Sequence, residues 1–319
     1  MIARIGAREA GRRPRRGRLQ RNEWMWGYLC VLPSLLGFLI FMAGPLIASF
    51  ALIFVHWEII TPPTPAGLDN LQELAGDSLF FKALFNTAYV TLLSVPLGLL
   101  LSLLLALALN QDLLGIRLYR MVFFIPSLTP TVANAILWLW IFNPSFGLAN
   151  AIIGLFGIPP QTWLYNAQEA KLALVITNLW TAGTSMIIFL AGLRGIPQEL
   201  YEAAAIDGVS WWSRFRYVTL PMLSPVIFFN LIIGIINSMQ SGFTLTFLFS
   251  KSGFNQVGAG PDNSLLLLVL YIYNKGFEDF EMGYAALLAW VLFIIILALT
   301  ILNFRVARSW VFYEGEMKG

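Results

Sequence analysis

The sequence has 319 residues, 58% of them hydrophobic and 12% charged, against about 45–50% apolar and about 25% charged in ordinary soluble domains. That excludes a soluble globular protein and sets aside the two domains that roughly 150 residues apiece would suggest. The formal charge of +3 hides an asymmetry: residues 1–21 hold eight Arg and one Glu, so this tail carries +7 and the remainder −4. An Arg cluster can bind nucleic acid. Beside a long apolar segment it holds a terminus at the anionic cytoplasmic leaflet instead, and no nucleic-acid partner is expected.

A membrane-spanning helix needs about 20 mostly apolar residues. The first such stretch, 28–55, is too long for the apolar core of a cleavable signal peptide, about 7–15 residues, and is expected to remain as an anchor. Within it Cys30 has no internal disulfide partner and reads as a small core residue. His56, the one histidine, sits at the outer end beside Trp57 and reads as a solvated ring, because no catalytic partner accompanies it. Beyond the turn-forming run Thr61-Pro62-Pro63-Thr64-Pro65 come the stretches 83–109 and 121–142, then Asn143-Pro144 and Ile158-Pro159-Pro160 as loops, then 172–193. A cytoplasmic loop over 194–221 precedes 222–249, and Gly260-Pro261 marks an outer segment before 283–304.

Lys and Arg set orientation. Sixteen fall on the side of the tail, with Arg117 and Arg120, with Arg194, Arg214 and Arg216, and with Arg305, Arg308 and Lys318; Lys82, Lys171, Lys251 and Lys275 make four opposite. The expectation is an all-α integral membrane protein of six transmembrane helices with both termini cytoplasmic. Its parts are a basic tail over 1–26, a six-span region over 27–308 and a short C-terminus over 309–319.

None of the six stretches contains Asp, Glu, Lys, Arg or His. Proton relays and many ion-coupled carriers keep such groups in the bilayer despite a cost of about 2.5–3.5 kcal/mol or more each, so a proton-driven carrier is not expected. An intramembrane hydrolase would need a paired acid, base or nucleophile there, and no catalytic residue is assigned. The polar residues inside are neutral. Asn230, Gly234, Asn237, Ser241 and Thr244 recur every three or four residues on one helical stripe, as do Thr177, Thr181 and Thr184 near Asn178, while Asn134 and Trp138 share a face. Such stripes serve helix packing or line a solute pathway, and one stripe can do both. Trp138, Asn178, Asn237, Gln240 and Ser241 are the candidate pathway residues.

In the 194–221 loop, Pro197 suits the first turn of a helix and Gly208 the left-handed residue that closes it. Ser210 can cap a second helix, with Trp211, Phe215 and Val218 on an apolar stripe, Arg214 and Arg216 facing water, and Leu220-Pro221 ending it before the next span. By physics alone this is an interfacial amphipathic hairpin or a docking surface, its small Ala203, Ala204 and Ala205 admitting close approach.

The spacing Glu202-Ala203-Ala204, three residues, Gly208, then Leu220-Pro221 in register, with Asp207 and Phe215 also matching and Val218 where Ile is usual, resembles the Glu-Ala-Ala loop of permease subunits of bacterial ABC importers. The likeness continues through Gly27-Tyr28 to Pro33, Gly67-Leu68-Asp69-Asn70, Phe124-Ile125-Pro126, Phe142-Asn143-Pro144, Tyr271-Ile272-Tyr273 and Gly283-Tyr284-Ala285, and is closest to the maltose and glycerol-3-phosphate type. The resemblance implies a type I permease fold with its shared core over about 80–308 and a coupling helix around Glu202 to Gly208 that docks on an ATPase. It implies as partners a second permease, two ATP-binding cassette subunits, an extracytoplasmic solute-binding protein and membrane lipid. The outer stretch before Gly260-Pro261 departs from the usual pattern. No Gly-x-x-x-x-Gly-Lys-Ser/Thr phosphate loop occurs, so the chain is not expected to be its own ATPase, and the resemblance implies that it binds no cofactor itself, ATP and Mg belonging to the partner. A sugar or oligosaccharide importer is the leading expectation; a permease for glycerol-3-phosphate or another small polar solute, a stand-alone channel and a membrane enzyme follow.

Overall fold

A computed structural model describes residues 18–111, 114–251 and 259–312. Most of the basic tail, the C-terminal residues from 313 and most of the unusual outer stretch, residues 252–258, lie outside the described residues.

The first span joins α1 (Arg18–Phe38) through a π turn, Leu39–Ala43, to α2 (Gly44–Leu52). The π turn absorbs the missing N–H of Pro45, with the Gly44 N–H reaching back to the Leu39 carbonyl. Residues 22–48 are exposed except Gly37 and Ala43; only the last turn docks, through the Trp290 indole donating to Ser49 Oγ at 3.2 Å and Phe50 packing edge-on to Trp290 at 5.0 Å. The helix stops at Leu52, short of the expected 55. Strands β1 (Val55–His56) and β2 (Thr64–Pro65) then pair antiparallel, Val55 opposite Pro65 and His56 opposite Thr64, ahead of α3 (Asp69–Gly76).

Helix α4 (Ser78–Leu109) is the central pillar, its 32 residues spanning about 48 Å at 1.5 Å per residue. The third apolar stretch is not one straight span. α5 (Ile116–Phe124), a 3-10 turn Ile125–Leu128 and α6 (Thr131–Ile141) bend by 99°, because Pro130 holds Thr129 extended at ψ 129°. After α7 (Leu148–Gly154), the fourth span is α8 (Ala167–Leu179) and α9 (Gly183–Gly195), bent by 45°. Gly183 sits at that bend because a Cβ there would lie 2.2 Å from the Phe123 carbonyl oxygen.

Short helices α10 (Gln198–Ile206) and α11 (Trp211–Arg214) follow. Leu220-Pro221 does not end the second helix: a π turn, Phe215–Thr219, accommodates the proline, and helix continues through α12 (Leu220–Gln240) and α13 (Phe243–Lys251) as one run over Trp211–Lys251. α14 (Leu268–Tyr273) and α15 (Met282–Ala307) complete the chain. Among the described residues four helical runs are long and apolar enough to span, and six when each bent pair is taken as one span. The fold is an all-α, six-span bundle around α4, with one apolar cluster at the 194–221 end (Ala106, Met186, Phe189, Leu193, Leu223) and others toward the opposite end (Phe80, Tyr284, Leu288; Phe142, Leu174, Phe249).

Candidate functional site

A cavity of about 190 Å³ opens where the fourth span breaks, between α4, α8, α9 and α12. Ser94 and Gly98 line it from α4, Asn178, Thr181 and Ser185 from the broken span, and Asn230, Gly234, Asn237, Ser238 and Ser241 from the α12 side. Every lining side chain is uncharged. Non-helical backbone survives at membrane depth only when buried in protein or lining a polar cavity; here Ala182 and Gly183 are buried, and Thr181 and Ala182 line the cavity. Ser102 donates to the Ala182 carbonyl at 2.9 Å, and the Thr181 hydroxyl donates to the Asn178 carbonyl at 2.9 Å. The Asn178 amide donates to Ser94 at 3.3 Å, and Thr91 and Ser238 hydroxyls lie 2.9 Å apart, tying the walls to α4.

Three of the five candidate pathway residues, Asn178, Asn237 and Ser241, meet in this cavity. Gln240 is exposed and is not among the lining residues; Trp138 is buried between Phe142 and Trp180, its indole N–H unpartnered. The α12 stripe does both jobs. Asn230 and Asn237 face the cavity, while Gly234 lets α12 approach α4, where a Cβ would meet Val95 at 3.1 Å. The α4 wall was missed in the sequence, although Thr87, Thr91, Ser94, Gly98 and Ser102 recur every three or four residues as a small, hydroxyl-bearing face.

At the other candidate site, α10 closes by a Schellman arrangement. The Gly208 N–H reaches the Ala205 carbonyl and the Val209 N–H the Ala204 carbonyl, both at 3.1 Å, with Gly208 at φ +68°. Glu202, Ala203, Asp207 and Gly208 are exposed, Ala204 is buried, and the space beside Gly208 is open. Ser210 caps α11 as expected, accepting from the Ser213 N–H at 3.3 Å. Trp211 stacks on Phe215 with 8° between the rings. Arg216 is exposed, but Arg214 is only half-exposed and, with Tyr201, Trp211 and Phe215, lines a groove behind α10. The Tyr201 hydroxyl lies 3.1 Å from that of Thr219, fastening α10 to the run that becomes α12.

The end away from this loop is cross-tied by ionisable groups. Burial alone would raise the Asp77 carboxyl, but hydroxyls of Tyr271 (2.5 Å) and Tyr284 (2.6 Å) and the N–H groups of Phe80 and Leu79 donate to it and hold it below its ordinary range. Asp77 thereby caps α4 and gathers α14 and α15 onto it. Burial, then the nearby Glu281, push Glu73 up. Lys275 pairs with Glu281 at 2.7 Å and Asp279 at 3.4 Å, and His56 with Asp69 at 3.3 Å rather than with water alone.

Residues 98–311, which contain most of the cavity and the whole Glu-Ala-Ala loop, match the family described as binding-protein-dependent transport system inner membrane component. The chain belongs to this family. A probable ABC transporter permease of Bacillus subtilis, YesP, is 37% identical over 95% of this chain and 96% of that protein. The trehalose/maltose permease MalF of Thermococcus litoralis is 34% identical over 91% and 96% respectively. Among solved structures, a chain of a bacterial ABC transporter for import of the polysaccharide alginate superposes with a TM-score of 0.76 at 24% identity, over 91% of this chain and 96% of that one, which establishes the fold. The inner membrane component is thus a multi-pass ABC permease of the type I fold, a transporter subunit rather than an enzyme. Such permeases work with a second permease, with ATPase subunits and with a solute-binding protein.

Proposed function

We propose that this permease forms half of the translocation pathway for an uncharged sugar or oligosaccharide, delivered from outside by the binding protein. The observation that carries the reading is the cavity at the fourth-span break, whose amides and hydroxyls suit a hydroxyl-rich neutral solute. Its volume of about 190 Å³ is below the about 300–1,000 Å³ of ordinary ligand sites, as befits one wall of a pathway completed by the second permease. Relatives named for trehalose and maltose, arabinooligosaccharides and lactose support the class. Another relative is named for sn-glycerol-3-phosphate. No cationic side chain lines this cavity to meet a phosphate, which favours the neutral solute.

In the mechanism that follows, both termini and the 194–221 loop face the cytoplasm, and Glu202 to Gly208 dock on an ATPase that holds ATP and Mg. Closure of the ATPase pair moves α10, and the Tyr201–Thr219 contact passes that motion to α12, which carries Asn230 and Asn237 and ends at Ser241. Alternating access then follows from tilting the bundle as a body. The test is ATP-dependent uptake by the assembled complex in proteoliposomes, with labelled neutral disaccharides and glycerol-3-phosphate in parallel. Neutral uptake lost in Asn237→Ala and Asn178→Ala, with assembly intact, is the expected result; uptake of the phosphate ester alone would overturn the assignment.

A further inference from the structure

We propose that residues 143–166 form an interfacial anchor whose apolar tip sits among the headgroups and upper acyl chains of the leaflet opposite the Glu-Ala-Ala loop. No charged residue occurs between Arg120 and Glu169, so the whole connection between the third and fourth spans is uncharged. The segment is built inside out for a water-facing loop. Along α7 and the residue that closes it, Leu148, Ile152 and Leu155 recur at spacings of four and three on one exposed face. Leu155 is 84%, Phe156 78% and Phe146 73% exposed. Ser145, Thr162 and Asn166 are exposed, but the central polar group, Asn150, is half-buried and bonded within the segment. The Asn150 amide donates to the carbonyls of Pro144 (3.0 Å) and Gln161 (2.9 Å), and its oxygen accepts from the Gln161 N–H (3.0 Å) and the Trp163 indole (2.7 Å). Asn143 accepts from the Ser145 and Phe146 N–H groups, and Asn166 caps α8. These bonds tie the two halves of the loop to each other, which lowers the cost of placing its backbone near hydrocarbon.

Lipid is the occupant because the patch continues the membrane surface of the bundle. Val132, Ile136 and Trp140, four residues apart on α6, are exposed on one face that leads to Phe146 and the tip. Short segments with a continuous apolar face lie in the interface plane in this way. A soluble partner, present for part of a transport cycle, would leave the tip in water for the rest, whereas lipid is always there. The anchor holds the ends of α6 and α8 at one depth while the bent spans move.

The test uses the full complex in phosphatidylcholine vesicles, with the exposed Cys30 replaced by Ser and a polarity-sensitive fluorophore on Leu155→Cys. Phe41→Cys, exposed on the first span, and Leu114→Cys, fully exposed in the turn before α5, are the lipid and water references. The Leu155 label should be quenched by lipid spin-labelled near the top of the acyl chain to an extent resembling Phe41, and be protected from aqueous iodide, with or without binding protein. Iodide quenching resembling Leu114 would overturn the proposal. So would protection appearing only when binding protein is added, which marks a protein-docking loop, or lipid quenching seen in the lone chain and lost in the complex, which marks a contact with the second permease.

Discussion

At the scale of single residues, two positions are held by backbone geometry or hydrogen bonding that few substitutes can reproduce. Gly208 occupies the left-handed region with nothing near its Cα, so a side chain there is refused by the backbone and not by crowding. That conformation costs an L-residue about 1–2 kcal/mol, more for a β-branched one, while Asn tolerates it. Gly208→Val should therefore leave the bundle folded but unseat the end of α10. Binding-protein-stimulated ATPase activity in the purified complex should fall sharply in Gly208→Val and only mildly in Gly208→Asn; equal activity in both would show that α10 does not couple. Asp77 is the second position. Its carboxyl is held below its ordinary value of 3.8, so its contribution to stability is full above the ordinary range and is lost as pH falls through the folded value. Asp77→Asn should melt lower than the parent at neutral pH, and the gap should narrow on acidification below 3.8, read by thermal unfolding in detergent.

At the scale of elements, the apolar stretches and the Pro197 to Gly208 helix were legible because hydropathy, capping and a glycine terminus are local signals. The breaks were less so. The 99° bend between α5 and α6 has a local cause at Thr129-Pro130 that hydropathy alone does not report, whereas the continuous helix through Leu220-Pro221 is settled by which neighbour satisfies the freed backbone groups. The fourth-span break makes the same point. Its carbonyl at Ala182 is met by Ser102, 80 residues away, and Gly183 is needed because Phe123 from the third span lies against it. Removing one such hydrogen bond costs about 1 kcal/mol, so Ser102→Ala should lower thermal stability modestly and still assemble. Gly183→Val forces a Cβ into a backbone oxygen 2.2 Å away that cannot rotate aside. It should fail to yield folded protein, as judged by size-exclusion profile; a monodisperse Gly183→Val preparation would mean that the bend is softer than its packing indicates. The cavity was half legible for a related reason: the amides of the α12 stripe stand out against their apolar surroundings, whereas the small α4 face that holds Ser94 and Gly98, though periodic, carries no amide and acquires its meaning only when α4 packs against the break.

For the whole molecule, charge is distributed so that the middle is electrically silent. The cavity lining is uncharged, and the resolved ion pairs, such as Lys82 with Asp262 at 2.6 Å and Lys251 with Glu278 at 2.8 Å, lie at the end away from the Glu-Ala-Ala loop. Those exposed pairs contribute about 0–1 kcal/mol each, so they shape that surface more than they stabilise the bundle. The silent middle has a consequence for energetics. Work from a proton gradient must be taken up by a group that changes charge along the path, and none lines this one. In the proposed function, the driving force arrives mechanically through α10. In proteoliposomes with ATP held constant, a protonophore should therefore leave the initial rate of solute uptake by the complex unchanged, while removal of ATP abolishes it. A rate that falls with the protonophore at constant ATP would require a titratable group in the pathway, contributed by the second permease.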